Sequence, residues 1–438
     1  MKNFLFKPID NAPLILFRIF FGFLFACETF GAILTGWVKD NFLLPDFTFS
    51  HIGMEWLQPL PGYGMYFYFA AMGVLSLLVM IGYRYRFSLG MLTLLWAGAY
   101  FMQKTSYNNH YYLLLLVAIM LLFLPADRFV SVDVMRNPSK RSLTMPAWCS
   151  WVMILQVAIV YLFATIAKFY PDWLDGTFTR NLFTGINVNK PVNYVFAQKW
   201  FHIFIAYTGI LFDGLIIPAL LWKRTRTIAL IASLVFHLFN SITLKIGIFP
   251  YFALSYAVFF YEPETIRSIF FRNRKPLLTE SDLTFPNFDY KKALLWFFVP
   301  YFVLQITLPM RHWFIPGDVL WTEEGHRLSW RMMLRNRDGY VSFKVVDKKT
   351  GQSELYQHHK FLTRKQENGM ASKPDMIWQM AQRIKNDYKA KGKDVAVYAD
   401  CMVSINHKPF QRLINPKTDL ASVEWNYFGH DDWVILYE

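Results

Sequence analysis

The 438-residue sequence contains only three cysteines, and their positions exclude two common kinds of protein. Cys27, Cys149 and Cys401 form no Cys-x-x-Cys pair and show no metal-ligand spacing, so neither a disulfide framework nor a cysteine metal site is expected. The sequence also lacks HExxH, a phosphate-binding P-loop, a GxGxxG after a strand and a GxSxG elbow. No metal site is therefore predicted.

Charged residues are sparse over about the first 300 positions and dense afterwards, a contrast that predicts a membrane domain followed by a soluble one. The chain is 54% hydrophobic with a mean hydropathy of +0.23, whereas soluble domains are about 45–50% apolar. The formal net charge of +14 comes from basic residues in short clusters between apolar runs. Such clusters are typical of loops that orient a membrane protein, so no nucleic-acid partner is expected.

Nine apolar runs approach the roughly 20 residues that a membrane-spanning helix needs. They lie near residues 13–37, 64–82, 87–103, 111–126, 147–168, 203–222, 227–243, 247–261 and 293–309. The seventh and eighth runs are barely separated, so the prediction is eight or nine transmembrane helices. The N-terminus shows no short apolar core followed by a cleavage site, and we expect the first helix to be retained.

Four basic clusters predict the orientation of these helices. They lie at residues 84–86, 128–141, 223–226 and 267–275. With nine spans and an inner N-terminus, all four fall on the cytoplasmic side, and the C-terminal region falls outside. The few cysteines favour a bacterial inner membrane with an extracytoplasmic C-terminal domain. An enzyme of the endoplasmic reticulum is the alternative.

The domain prediction follows from a change of pattern near residue 310. Residues 1–309 form a helical transmembrane domain. Residues 310–438 contain stretches such as GYVSFKVVDKKTG and DVAVYADCMVSIN, in which apolar and polar residues alternate as in half-buried strands. One helix is predicted between Pro374 and Gly392. The expected fold is a polytopic α-helical membrane protein followed by a small β-rich, sandwich-like extracytoplasmic domain with one helix.

Polar residues occur at three places in the apolar background, and the topology puts all three near the outer side. They are the turn KTSYNNHYY with His110, the helix-end Lys168, and FHLFNS with His237 and Asn240 three residues apart. Ionisable groups at membrane depth are candidates for function. Each has an ordinary alternative: a lysine that snorkels to the headgroups, turn chemistry, and a hydrogen-bonded structural histidine. The pattern predicts a lipid-accessible pocket beneath the outer domain.

The same stretches resemble the vitamin K-dependent γ-carboxylases and their bacterial relatives, the HTTM-domain proteins. The resemblance runs in order along nearly the whole chain. Its motifs are FRIFFG, WLQPLP, QKTSYNNH, KFYPDWLDG, FHLFNS with IGIFPY, and VYADCMVSIN. It implies an enzyme in which a lysine deprotonates reduced vitamin K, the quinol then reacts with O2 and ends as the epoxide, and CO2 is added to the γ-carbon of a protein glutamate.

Site residues follow from the resemblance, position by position. Lys168 aligns with the catalytic base and His110 with the histidine that supports the oxygenated intermediate. Asn109, His237 and Phe249 align with residues of the quinone site. The implied cofactor is a menaquinol-type naphthohydroquinone, with O2 and CO2 or bicarbonate as co-substrates. The implied partners are membrane lipid, the lipid quinone and a glutamate-bearing protein. A buried lysine also suits this role physically, because desolvation favours its neutral, basic form.

Two departures from the family pattern keep alternatives open. Tyr398 aligns with a tyrosine near the bound glutamate, but Met402 stands where the animal enzymes have a tryptophan. The chain also ends at Glu438, before the long C-terminal region of the animal enzymes. A quinone epoxidase without protein carboxylation is therefore one alternative. A transporter of the same topology and a haem-b electron carrier are others.

Overall fold

A computed structural model describes residues 2–186, 189–244, 246–271, 290–332 and 334–437. Helices dominate up to residue 310, and each apolar run predicted from the sequence is helical. The helices at the predicted spans are α1 (Ala12–Leu34), α2 (Gly64–Ile81), α3 (Tyr85–Met102), α4 (Asn109–Phe123), α5 (Trp148–Ile166), α6 (Lys199–Leu221), α7 (Arg226–Leu244), α8 (Phe249–Ser255) and α9 (Val299–Met310).

Shorter segments complete the helical part. A 3₁₀ turn, Tyr256–Phe259, extends α8, and a π-helical turn, Leu294–Phe298, precedes α9. Short α-helices lie at Lys2–Leu5, Val132–Arg136, Pro171–Leu174, Thr177–Thr184, Lys190–Phe196, Pro263–Phe270, Tyr290–Ala293 and Val319–Thr322. Short strands β1 (Pro8–Asp10) and β2 (Thr144–Pro146) pair antiparallel.

Six helices of the described chain are long and apolar enough to cross a membrane. They are α1, α2, α5, α6, α7 and the continuous helical stretch Leu294–Phe314 that contains α9. The other predicted spans are helical, but α4 has 15 residues and α8 with its 3₁₀ turn reaches only from Phe249 to Phe259. The chain is therefore a multi-pass membrane protein, as predicted, with six helices of spanning length and composition.

The described residues of the basic clusters lie at one end of the helical bundle, here called the inner end. Asp133 accepts hydrogen bonds from the backbone of Arg84 at 2.8 Å, which joins the first two clusters. Arg226 pairs with Glu262 at 3.0 Å, and Arg267 pairs with Asp10 in the β1–β2 pair. Three residues of the fourth cluster, Arg272, Arg274 and Lys275, lie outside the described residues. The outer end is the one that contacts the C-terminal β-sheet.

The C-terminal part is a four-stranded antiparallel sheet in the order β4–β3–β5–β6. The strands are β3 (Arg337–Asp347), β4 (Ser353–Tyr356), β5 (Val395–Ile405) and β6 (Gln411–Arg412). β3 and β5 pair along their whole length, from Arg337 opposite Ile405 to Asp347 opposite Val395.

One face of this sheet is covered by α11 (Pro374–Ala390), the helix predicted from the sequence. Alternate β5 residues, including Val397 and Cys401, pack in one apolar core with Met376 and Ile384 of that helix. A further helix, α10 (Arg364–Met370), precedes it, and the sequence pattern predicted neither α10 nor the short helix Val319–Thr322. The described strands form a single sheet with a helical cover, so the sandwich-like arrangement of two facing sheets is not found among them.

The segment between α9 and β3 inserts into the outer end of the bundle. Trp330 is fully buried in the core of the helical bundle and stacks on Tyr112 of α4 at 5.0 Å between ring centroids. Leu328 and Trp330 both have positive φ, at 60° and 57°. Non-glycine residues adopt this region at a cost that surrounding contacts must offset. The segment therefore forms a fixed roof over the outer end of the helices.

Candidate active site

A small, mostly apolar cavity lies between α4, α5, α6, α7 and α8, beneath this roof. Its volume is about 150 Å³, and Met332 of the roof lines it. Four of the residues predicted from the sequence line it together: His110, Lys168, His237 and Phe249. The structure thus brings into one cavity four residues that come from four different helices or helix ends.

Lys168 points into the bundle. It follows the end of α5 by two residues, and its Nζ donates to the carbonyl oxygen of Ala164 at 3.1 Å. The same Nζ lies 2.5 Å from Oδ2 of Asp213 in α6 and 5.3 Å from the ring centroid of Trp173. Lys168 is only 8% exposed. This geometry differs from that of a snorkelling lysine, whose amine extends along the helix to reach water.

His110 is held in place by the cap of its own helix and by an aromatic neighbour. The side chain of Asn108 accepts the backbone N–H of Tyr111 at 2.7 Å, which fixes the first turn of α4. The His110 ring stacks on Phe249 with 3.7 Å between centroids and 11° between planes. Its ring nitrogens have no hydrogen-bond partner in the described part of the chain, so they are available to a ligand.

His237 faces the same cavity from α7. Its Nε2 lies 3.0 Å from the hydroxyl of Tyr161 in α5, and its ring meets Phe249 edge-on at 6.2 Å. Asn240, one turn further along α7, also lines the cavity, as their common helix face predicts. His237 therefore has one nitrogen tied to the protein, whereas His110 has none.

Two predicted site residues lie outside the cavity lining. Asn109 donates its amide to the backbone oxygen of Arg331 at 3.0 Å and accepts the hydroxyl of Tyr107 at 3.0 Å, so it ties α4 to the roof. Tyr398 lies in β5 opposite Lys344, on the sheet face away from α11. Neither belongs to the lining of the cavity or of the outer groove described below.

Asp213 is the site residue that sequence reasoning missed. It is buried at 8% exposure in the middle of α6 and makes the closest contact to the Lys168 amine. A lone carboxylate in an otherwise apolar span could have identified Asp213 as a site candidate, because such groups face the bundle interior and have partners there. A similar residue, Glu28 in α1, accepts the hydroxyl of Tyr111 at 2.7 Å and the backbone N–H of Ile248, next to Phe249.

A second, open groove of about 720 Å³ lies on the outer side of the roof. Consecutive residues separate it from the cavity: Ala167 lines the groove and Lys168 the cavity, while Arg331 lines the groove and Met332 the cavity. Arg331 lies 3.3 Å from Nε2 of His312 and makes no ion pair with a described carboxylate, and its Nε is buried without a partner. Burial lowers the pKa of Arg331 to about 10, so it is still charged at neutral pH.

The cavity offers an amine, two imidazoles and aromatic faces in apolar surroundings. Such a site can bind a flat aromatic molecule and move protons to or from it with little water present. Among the described residues, no group of three or more His, Cys, Asp or Glu side chains is placed to hold a metal ion. The amine and the two imidazoles can donate and accept protons.

Comparison with known proteins yields two family matches. The HTTM domain matches residues 6–264, and the vitamin K-dependent gamma-carboxylase lumenal domain matches residues 290–438. No solved structure matches the chain. The first match covers more than half of the chain and contains all the cavity residues except Met332, and the second covers the roof and the sheet. The chain belongs to the HTTM family and is a vitamin K-dependent gamma-glutamyl carboxylase-like membrane protein.

Proposed function

We propose that this protein is a membrane enzyme that oxidises a reduced vitamin K-type naphthoquinone with O2 to its epoxide and couples this reaction to addition of CO2 at the γ-carbon of a protein glutamate. The observation that carries the proposal is the position of Lys168. Its amine lies in a mostly apolar cavity with His110 and His237, in a chain that matches the HTTM domain and the vitamin K-dependent gamma-carboxylase lumenal domain.

The lining of the cavity suits a quinol with an apolar tail. Phe249 and Phe236 present aromatic faces, while Lys168 and His110 provide polar groups for ring oxygens. A second space of only about 20 Å³ shares Val157 and Tyr161 with the cavity and is also lined by the apolar side chains of Ile217, Leu220 and Leu230. We infer that an isoprenoid chain would extend in this direction only after these helices separate. When bound, the quinol would supply the reducing equivalents and the strong base that the reaction needs.

The cavity is small for such a ligand. Its volume of about 150 Å³ equals that of a cavity that accepts a benzene ring, and small-molecule sites typically enclose roughly 300–1,000 Å³. A bicyclic ring therefore fits only if one wall of the cavity moves outward. The least buried wall is α7. Only 17% of its 18-residue apolar stretch is buried inside the protein. We infer that α7 moves outward when the quinol enters from the lipid.

Asp213 gives Lys168 a route to its neutral form. Two opposite charges in an apolar cavity are costly to desolvate, and a buried pair can remove both charges by moving one proton. If that proton moves from Nζ of Lys168 to Oδ2 of Asp213, 2.5 Å away, an uncharged amine remains at the cavity wall. A neutral amine can accept the hydroxyl proton of a quinol, which an ammonium cannot do. Asp213 then acts as a proton store for the base.

The outer groove is the approach that we assign to the glutamate-bearing protein. Arg331 has a guanidinium without a carboxylate partner among the described residues, and such a group binds carboxylates in a bidentate manner. Because Arg331 and Met332 are consecutive, a carboxylate on Arg331 would lie close to the cavity. We propose that this groove faces the extracytoplasmic side, because the basic clusters lie at the opposite end of the bundle, and that the membrane is a bacterial inner membrane.

The test is epoxide formation by purified protein in lipid nanodiscs supplied with reduced quinone, O2 and bicarbonate. We expect epoxide with the wild type and with Lys199→Met, a change of an exposed lysine at the outer start of α6 that does not line the cavity. We expect none with Lys168→Met. Labelled CO2 entering a Glu peptide then separates the full reaction from epoxidation alone. Absence of O2-dependent quinol consumption in the folded wild type would refute the proposal and favour a transporter.

A further inference from the structure

A crevice at the inner end of the bundle is unrelated to the active-site cavity. It has a volume of about 640 Å³ and lies between the inner ends of α1 and α2 and the loop that joins α4 to α5. Its walls are mostly apolar, and they come from Ile19, Met80, Ile81, Val132, Val134 and Met135. Met135 is 80% exposed and Ile81 41% exposed, so the crevice opens to the surroundings of the protein.

A fully buried arginine lies at the base of this crevice. Arg18 is 0% exposed and donates to the backbone oxygens of Ala126 at 2.8 Å and Val130 at 2.6 Å, while its Nε has no partner. No described carboxylate forms an ion pair with it. Two acids, Asp127 and Asp133, attract Arg18 from a distance. Asp133 accepts two backbone N–H groups at the start of α3, and Asp127 lies 3.8 Å from Nε of Arg128.

A second guanidinium lies at the mouth of the crevice. Arg141 lines it, is exposed to solvent, and lies 5.9 Å from the ring centroid of Phe129 without an ion pair to any described acid. Arg18 is six residues after Ala12, which starts α1, so it lies roughly 9 Å along the helix from its inner end. That distance corresponds to the boundary between headgroups and acyl chains of a bilayer.

Apolar walls beneath two positive charges fit an amphiphile with an anionic head. A free phosphate ion would satisfy the charges but leave the apolar walls uncovered. A zwitterionic lipid would bring its own cation against the two arginines. We propose that this crevice binds an anionic phospholipid, with its phosphate on Arg141 above the buried charge of Arg18 and one acyl chain along Ile81 and Met80. Basic pockets between helices on this side of membrane proteins have the same chemistry.

Native mass spectrometry of the full chain released from nanodiscs of mixed phosphatidylglycerol and phosphatidylcholine tests this proposal. We expect one phosphatidylglycerol to be retained preferentially by the wild type. Arg141→Gln should weaken that retention about fivefold, since one arginine near an anionic surface contributes roughly 1 kcal/mol. The matched control is Arg136→Gln, in the same loop, because Arg136 lies over Tyr83 and does not line the crevice; it should retain the lipid as the wild type does.

Arg141 is exposed, so its substitution should leave the fold intact, which a thermal unfolding curve verifies. Equal retention in the two variants would overturn the proposal, as would equal retention of phosphatidylcholine by the wild type. A competition arm uses inorganic phosphate in the detergent-solubilised protein. If millimolar phosphate displaces the lipid completely, the crevice is a site for soluble anions and the acyl-chain assignment is overturned. None of these readouts depends on enzymatic activity.

Discussion

Asp375 holds together the contact between the outer end of the bundle and the C-terminal sheet. At the start of α11, its Oδ2 lies 2.7 Å from Nζ of Lys104 and 2.9 Å from Arg327. Lys104 is 1% exposed, and Lys373 also acts on the group electrostatically. Burial alone would raise the pKa of Asp375, but Arg327 and Lys104 outweigh burial and hold this pKa well below its ordinary value. One carboxylate therefore interacts electrostatically with three cations, Lys104, Arg327 and Lys373.

Replacement of this carboxylate by the isosteric amide, Asp375→Asn, should be strongly destabilising. Each ion pair at 2.7–2.9 Å represents an attraction of about 6 kcal/mol at an effective dielectric constant of 20. Desolvation offsets most of it, and loss of one partner of a buried pair costs about 3–5 kcal/mol because uncompensated charge remains. We expect the unfolding free energy of the C-terminal part to fall by that amount in a urea series followed by pulse proteolysis in detergent micelles.

The matched control is Lys104→Met, which removes one of the three cations. It should cost little in the wild type, because Arg327 and Lys373 still balance the carboxylate, and it should restore part of the lost stability in the Asp375→Asn background. The double-mutant cycle should therefore show coupling of about 0.5–3 kcal/mol. A loss below 1 kcal/mol for Asp375→Asn, or an equal effect of Lys104→Met in both backgrounds, would contradict the reasoning.

Three further predictions concern the site and pH. Asp213→Asn removes the proposed proton acceptor beside Lys168, so oxygen-electrode assays should show quinol oxidation slowed by about 10²-fold or more while the protein still folds; unchanged turnover would exclude the role. Phe249→Leu removes the ring stacked on His110, and its KM for quinol should rise about 3–10-fold, a result that an unaltered KM would contradict. Burial lowers the pKa of Lys104 to about 8, with partial compensation by the nearby carboxylate, whereas the unfolded chain has a lysine pKa near 10.5. Between these values the unfolded chain binds the extra proton, so Lys104 should make the unfolding free energy rise with pH by about 3 kcal/mol. Lys104→Met should remove that share and leave the rise due to Lys373, whose pKa burial lowers to about 7.

The helical part could be predicted well because composition and length decide it. All nine apolar runs are helical, since backbone groups in lipid must be hydrogen-bonded within their own segment. The sheet was predicted less well, because alternation identifies the buried face of a strand but not what covers it. The missed helix α10 did carry a signal. Thr363 and Gln366 form a capping box, in which each side chain bonds to the backbone of the other residue.

The site could be predicted only in part. The sequence did not show which residues of different helices contact one another. Polar residues in apolar surroundings identified Lys168, His110 and His237, and the family resemblance added Phe249. None of these signals shows which residue of another span lies opposite. Asp213 is 45 positions from Lys168, and only the packing of α5 against α6 brings them together. A systematic pairing of every ionisable residue within the spans would have put Asp213 forward, because lipid leaves such groups no partner except one another.

Asn109 shows that a family resemblance does not reveal which contacts a residue makes. It lies next to His110, so the resemblance placed it at the quinone, yet its amide bonds to the backbone oxygen of Arg331 in the roof. Arg331 faces the outer groove and Met332 faces the cavity. Asn109 therefore fixes one of the two described segments that separate the two spaces. A reaction that needs a base protected from water depends on that separation as much as on the base itself, so we infer that Asn109 contributes by holding the roof closed.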